Sequence, residues 1–464
     1  MGRQAPAPHV HHLLLAQLLA GCCTLLPMQH PLRAAQAPEN LPQAPLTPPS
    51  EQAILPFAGM KELSVDGLVQ EVLTRNPSLA QMTAAWQAAS ARYPQVTSLE
   101  DPMFAATFGP GTIAPDDRGV EFASRLEIAQ KYPWPGKLRA RGQNALAEAS
   151  AAAYDVDDAR LQLIESTKEA FAEYYLSARA LEVNDEARQL LSKLLENAEN
   201  RYKFGQAPQQ DLLQAKVEIG RQGEQQLRLE RMRQVAIARI DTLLNLRPDA
   251  PLPPPPAQMS VGDSLPDASV LRAAALARRP DLQALANHIA AEEASLRLAC
   301  KEYYPDLEPF FMYDRFMGNT SSSRDLATMI GVRLNLPVRR ARREGAVAEA
   351  QARIARRRAE LTSRVNQANF EVQQAYEQVR ESERVVRLYE NKILPAARLN
   401  VSGAQSAYVT ASIPFLSLIE AARGEVEIRA KYFEAVADYF RRRAALERAM
   451  GGPLESVPAF LTPK

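Results

Sequence analysis

The sequence predicts a mainly α, elongated chain with a small membrane β part, laid out as two similar halves. Three observations carry this. Proline-marked landmarks recur at an offset of about two hundred residues. Long segments carry an apolar repeat near 3.5, the spacing of a coiled-coil seam. Four short segments between them alternate apolar and polar side chains, the period of a strand.

The landmarks run in order. Asn76-Pro77-Ser78-Leu79 matches Arg279-Pro280-Asp281-Leu282, and Pro102 matches Pro305. Trp134-Pro135-Gly136-Lys137-Leu138-Arg139 matches Leu336-Pro337-Val338-Arg339-Arg340, and Tyr202 and Pro208 match Tyr408 and Pro414. This places a first repeat at 63–246, a proline-rich linker at 247–267, a second repeat at 268–451 and a tail at 452–464. Each half begins with a short amphipathic helix, Val65 to Arg75 or Ala268 to Arg278. A second helix of about 25 residues follows with proline in its first turn. Two strands, one very long helix and a helix of about 35 to 40 residues complete the half.

The first long helix is expected over about 136–204, roughly 100 Å at 1.5 Å per residue. Its seam is Leu163, Thr167, Ala170, Tyr174, Ala178 and Leu181. The second is expected over about 338–405, with Ile354, Leu361, Val365, Ala368, Val372, Ala375, Val379, Val386, Tyr389 and Ile393 in its seam. Pro395 interrupts it and should kink it. These are long antiparallel coiled-coil helices, a length for which a globular domain has no use.

The strands are expected at about 102–109, 120–131, 305–316 and 325–336. Phe122, Leu126 and Ile128 alternate with Arg125 and Glu127, and Ile330, Val332 and Leu334 alternate with Arg333 and Asn335. The six apolar residues are expected to face lipid. Tyr132, Trp134, Tyr303 and Tyr304 flank the strands as interfacial aromatics do. A half-buried soluble sheet is the alternative. Four strands cannot close a barrel, and open edges cannot face lipid, so a membrane reading requires several copies to pool their strands.

The chain starts with Arg3, a histidine cluster and an apolar run, Leu13 to Ala20, too short to span a bilayer. It ends in Leu19-Ala20-Gly21-Cys22, which resembles the bacterial lipobox. That implies a signal peptide at 1–21, diacylation (palmitate) on Cys22, and a Pro/Gln/Ala-rich tether at 22–62. An ordinary signal peptide cut near Ala35-Gln36-Ala37 is the other reading, and both send the chain out of the cytoplasm.

Net charge is +1, with Lys+Arg 55 against Asp+Glu 54, so nothing electrostatic points to nucleic acid. Three of the five histidines lie in the leader, leaving His30 in the tether and His288 alone on a helix. No base has a plausible catalytic partner, and Cys22, Cys23 and Cys300 make neither a disulfide framework nor a zinc site. No enzyme activity, cofactor or metal centre is expected.

From Val65 to Gly451 the order of elements resembles the TolC-like outer-membrane efflux proteins. Arg201-Tyr202-Lys203-Phe204-Gly205 followed by Asp211-Leu212-Leu213-Gln214-Ala215 is similar to the family's periplasmic tip. So is Ala407-Tyr408 followed by Pro414-Phe415-Leu416-Ser417-Leu418, and Ile393-Leu394-Pro395-Ala396-Ala397 is also similar to the family's. The resemblance implies a homotrimer with an α-barrel periplasmic tunnel and a 12-stranded β-barrel, four transmembrane strands per chain. It implies outer-membrane lipids, a periplasmic adaptor and an inner-membrane pump as partners in efflux. Tyr202, Gly205, Leu212 and Leu213 would form one docking and gating tip, and Tyr408, Pro414 and Leu418 the other. They are apolar residues at a tip with no core to cover, or the start of the next seam. Gly205 should hold a positive φ.

Asp101-Pro102-Met103-Phe104 resembles the strand entry of the heavy-metal-efflux subgroup, which hints at metal-ion export, although Asp-Pro also simply ends a helix. The second tip departs from the first in having Ala411 where the first has Gly205, and no Asp or Glu occurs from Ala404 to Leu418. The loop Gly109 to Gly119 is short. A periplasmic coiled-coil scaffold or adaptor lipoprotein without a pore is the competing class.

Overall fold

The structure, a computed structural model, describes residues 56–456 apart from residues 58, 109–121, 263–264, 317–326 and 411. The leader, Cys22 and most of the tether lie outside the described residues, as do the Gly109–Gly119 loop, Ala411 and the end of the tail. The first half runs α1 (Val65–Arg75), α2 (Pro77–Thr97), β1 (Met103–Phe108), β2 (Phe122–Ala129), α3 (Lys137–Lys203) and α4 (Gln209–Leu243). The second runs α5 (Ala268–Arg278), α6 (Pro280–Lys301), β3 (Leu307–Phe316), β4 (Ala327–Leu334), α7 (Arg340–Leu388), α8 (Leu394–Val409) and α9 (Phe415–Ala449).

Local chemistry sets the helix boundaries. Ser64 Oγ accepts from the Gly67 N–H at 3.1 Å and starts α1. Asn76 stops α1 and starts α2, its Oδ1 accepting from the Ser78 N–H at 2.9 Å ahead of Pro77 at the first helical position. The two halves also end alike. After α4, Leu246 N–H donates to Asp241 O at 2.8 Å through Asn245, φ 55°; after α9, Gly452 N–H donates to Glu447 O at 2.9 Å through Gly451, φ 80°. Both are left-handed caps that satisfy the last helical carbonyls.

α3 is the axis of packing. It lies against α2, α4, α6 and α9. At one end Gly142 admits the side chains of Tyr93 and Thr97, since a Cβ there would meet Thr97 Cγ2 at 2.6 Å. Further along, Asn184 Nδ2 donates to Gln222 O at 3.2 Å. So α2 and α4 follow one another along a single 67-residue helix. Being surrounded, α3 buries Phe171, Ala172, Tyr175 and Val183 as well as Thr167, Ala170 and Tyr174 of the expected seam. α7 is simpler: Ile354, Ala368, Val372, Ala375, Val379 and Val386 are buried at the expected spacing.

Pro395 acts through the turn before it. Proline offers no N–H and its ring crowds the carbonyl four residues back. The backbone accommodates this in a π-helical turn, Tyr389–Ile393, where Leu394 N–H reaches Tyr389 O, and helix resumes as α8. The four strands form one antiparallel sheet in the order β1-β2-β3-β4. The central pair, β2 with β3, therefore joins the two halves. No described helix is long and apolar enough to cross a membrane.

Candidate functional site

The sheet has two chemically opposite faces, because neighbours in register share a side. One cross-strand row is Phe104, Ile128, Phe311 and Ile330; another pairs Pro309 with Val332, and a third Leu307 with Leu334. Leu126 pairs with Tyr313 on the same side. Ile330 is 83% exposed in the single chain, and Leu126, Ile128, Val332 and Leu334 are exposed too. Phe122 pairs with Phe316 beyond a register shift at Phe122/Ser124.

The opposite face is ionic. Arg125 makes a bidentate pair with Asp314, at 2.7 and 2.9 Å. Arg333 bonds Glu127 and, at 3.0 Å, Glu308, with its guanidinium 4.5 Å from the Phe310 ring centroid. Gly331 makes room for that ring, since a Cβ there would meet Phe310 Cζ at 2.4 Å. The sequence marked Arg125, Glu127 and Arg333 as the polar side, but their partners Asp314 and Glu308 come from other strands and no local spacing announces them.

At the helical side of the sheet, Lys137 is buried. Its Nζ reaches Asp306 Oδ1 at 2.8 Å and Tyr304 O at 3.1 Å, and the Trp134 N–H donates to the same Asp306 oxygen at 2.9 Å. The Trp134 ring stacks on Tyr304 with centroids 5.1 Å apart. This junction ties the exit of β2 to the entry of β3.

At the other end of the long helices lie the two turns. Gly205 has φ 70°, and Gln206 N–H donates to Arg201 O at 2.8 Å; the second turn closes with Ser412 N–H on Ala407 O, also 2.8 Å. The expectation that these tips have no core is corrected here. Leu191, Leu194, Ala198, Ala215, Tyr408, Phe415, Leu418 and Ile419 form one buried cluster. Tyr408 and Leu418 are therefore packing residues, and Leu212 is half-buried against them. The reason is that all four helices meet here, so the seams close over themselves. Arg201 pins the two turns together, donating to Tyr408 O at 2.8 Å and lying 4.6 Å from its ring centroid. Tyr202, Gly205, Leu213 and Pro414 remain exposed, together with Phe204 at 78% and Val409 at 72%. Neither Phe204 nor Val409 falls on a seam, so the apolar spacing of the sequence does not mark them.

One ionic cluster went unnoticed in the sequence. Arg279 grips Asp281 at 2.9 and 3.0 Å, Glu371 at 2.6 Å and Ala449 O at 3.2 Å, and Arg364 bonds the same two carboxylates. Burial alone would raise the Asp281 carboxyl, but the hydrogen bonds and charges of both arginines outweigh it and hold it below its ordinary range.

Comparison with known proteins follows the fold. Residues 68–246 match the family model for outer membrane efflux proteins. No curated protein matches the sequence. Among solved structures, the outer membrane protein VceC of Vibrio cholerae is 21% identical with TM-score 0.70, covering 84% of this chain and 96% of that one. CusC, 16% identical, covers 84% and 92% with TM-score 0.72. The open-state MtrE outer membrane channel of Neisseria gonorrhoeae, 19% identical, covers 84% and 89% with TM-score 0.65. The chain thus carries the outer membrane efflux protein signature over residues 68–246 and, over 84% of its length, the mainly helical, four-stranded fold of the outer-membrane channels.

Proposed function

We propose that the chain is one subunit of an outer-membrane efflux channel. Three copies pool four strands each into a 12-stranded barrel, and their long helices form the wall of a periplasmic tunnel. The observation that carries this is the two-faced sheet with open ends. An apolar, exposed face suits lipid, an ion-paired face suits a wet lumen, and the unpaired outer edges of β1 and β4 cannot remain unpaired in hydrocarbon. Pairing β4 of one copy with β1 of the next removes both edges.

The exposed tip residues, Tyr202, Phe204, Leu213, Val409 and Pro414, are the surface offered to a periplasmic adaptor, and cargo reaches the tunnel from an inner-membrane pump. Leu19-Ala20-Gly21-Cys22 supports lipidation of Cys22 as a second anchor. Labelled palmitate should enter the wild type and not Cys22→Ala; equal labelling would remove the anchor from the proposal and leave the barrel.

The sheet is tested directly. Val332→Arg should cost about 2–4 kcal/mol of assembly if the residue sits near the bilayer midplane. Arg333→Val should be milder, since Arg333 is half-exposed and its pairs are worth about 0–1 kcal/mol. The readouts are heat-modifiable trimer yield and single-channel conductance in planar bilayers. The reverse order of the two variants, or a fully assembled protein with no conductance, would refute the channel reading.

A further inference from the structure

The end of β4 carries an ionic feature that the channel reading leaves unused. From Leu334 the chain runs Asn335-Leu336-Pro337-Val338-Arg339-Arg340-Ala341-Arg342-Arg343 into α7. Leu336 is 71% exposed and Val338 78%, extending the apolar face of the sheet by a few residues. Arg339, Arg340 and Arg342 follow at once and are exposed. At most about 3.5 Å per residue separates them from the last strand residue.

Among the described residues, several charges at this end are already matched. Lys131 holds Glu100, and Lys137 holds Glu302 and Asp306. Arg343 is used on carbonyls, donating to Glu302 O and Arg339 O. Among the described residues, Arg339, Arg340 and Arg342 meet no carboxylate, and the acids nearby without a cation are Asp101 and Glu344. Guanidiniums thus remain in excess where an exposed apolar band ends and where Tyr132, Trp134, Tyr303 and Tyr304 gather. At the matching position of the first half Lys137 is buried and paired with Asp306 and Glu302, with Arg139 and Arg141 following it, so the cluster of three exposed guanidiniums adjoining the apolar band is the second half's.

We propose that Arg339, Arg340 and Arg342 form a binding site for the phosphate of an anionic phospholipid in the periplasm-facing leaflet. Apolar side chains that end at headgroup level, followed by donors in fork geometry, fit a phosphodiester on one side and acyl chain on the other. The inference rests on the membrane reading of the sheet.

The test uses the assembled full chain in nanodiscs of phosphatidylethanolamine with and without phosphatidylglycerol, followed by native mass spectrometry of retained lipid. Wild type should retain phosphatidylglycerol in preference to phosphatidylethanolamine. Each arginine should contribute about fivefold, the ratio given by ~1 kcal/mol per basic residue near an anionic surface. The combined R339Q/R340Q/R342Q variant should lose at least about tenfold of that preference while inserting and assembling normally. Equal lipid preference in wild type and variant overturns the site. So does a variant that loses assembly equally in both lipids, which would assign the arginines to acids of a neighbouring subunit. Failure of the wild type to enter nanodiscs at all would instead overturn the channel reading beneath it.

Discussion

The two halves share a frame and differ in what is charged on it. α1 and α5 have 11 residues each, and α4 and α9 have 35 each. At the end of α4, Asn76 Nδ2 donates to Leu243 O at 2.9 Å; at the end of α9, Arg279 donates to Ala449 O at 3.2 Å. The same carbonyl is reached from the same place, once by a neutral amide and once by a guanidinium that also binds Asp281 and Glu371. Asp241 and Glu447 likewise hold matching places. Glu447 is paired by Lys168 and Arg443, whereas Asp241 is fully buried and its Oδ1 meets no donor among the described residues. Apolar spacing, caps and proline stops therefore define the repeat, and the ionic contacts are fitted separately to each copy.

Replacing the two anchors should break this comparison most visibly. Arg279→Ala leaves Asp281 and Glu371 to Arg364 alone and removes charge-assisted hydrogen bonds, and should cost about 2–3 kcal/mol, read by denaturant unfolding. Asn76→Ala, at the matching point, should cost about 1 kcal/mol. Similar losses for both would mean that the second half's charges add nothing beyond the shared hydrogen bond.

Asp241 should show the difference as a pH dependence. Burial pushes its carboxyl from the ordinary 3.8 up to about 7, because no cation offsets the desolvation. A raised carboxyl is more readily protonated folded than unfolded. Its contribution is therefore complete below about pH 4 and is lost as pH rises towards 7, at most about 4 kcal/mol in all. Thermal unfolding of the wild type should weaken from pH 5 to pH 8, and Asp241→Asn should flatten that trend and be the more stable at pH 8. An unchanged slope in Asp241→Asn would place the titrating group elsewhere.

The end caps sharpen the comparison at smaller scale. A Cβ at Gly451 would lie 3.0 Å from Arg279 N and 3.1 Å from Arg278 C, both backbone, and φ is 80°. Gly451→Ala should cost about 2 kcal/mol or more, left-handed strain plus overlap. Asn245→Gly should stay within about 0.5 kcal/mol, since asparagine already tolerates this conformation. Melting temperatures of the two variants decide the matter.

Much of this was legible in the sequence because it is written locally. Proline at the start of α2 and α6, the seam of α7 and the alternation in β2 and β4 each need only a few neighbouring residues to be read. What stayed hidden depends on pairs far apart in the chain. Lys137 reads as an ordinary charged residue until Asp306 is beside it, and Arg201 reveals nothing until Tyr408 lies under it. Tyr408 and Leu418 misled for the same reason: a tyrosine and a leucine near a turn look exposed until two more helices arrive to cover them.

The open edges of the sheet have a thermodynamic consequence. On the proposed channel reading, backbone donors and acceptors on the outer sides of β1 and β4, open among the described residues, find partners only on another copy, so the strands of a lone chain would not be fully satisfied in a membrane. Folding of the sheet and association of the copies would then be one equilibrium. Its midpoint should move with the protein-to-lipid ratio, as mass action requires whenever association favours the folded form, whereas the helical body, with its own buried clusters, should melt at a temperature that dilution leaves unmoved.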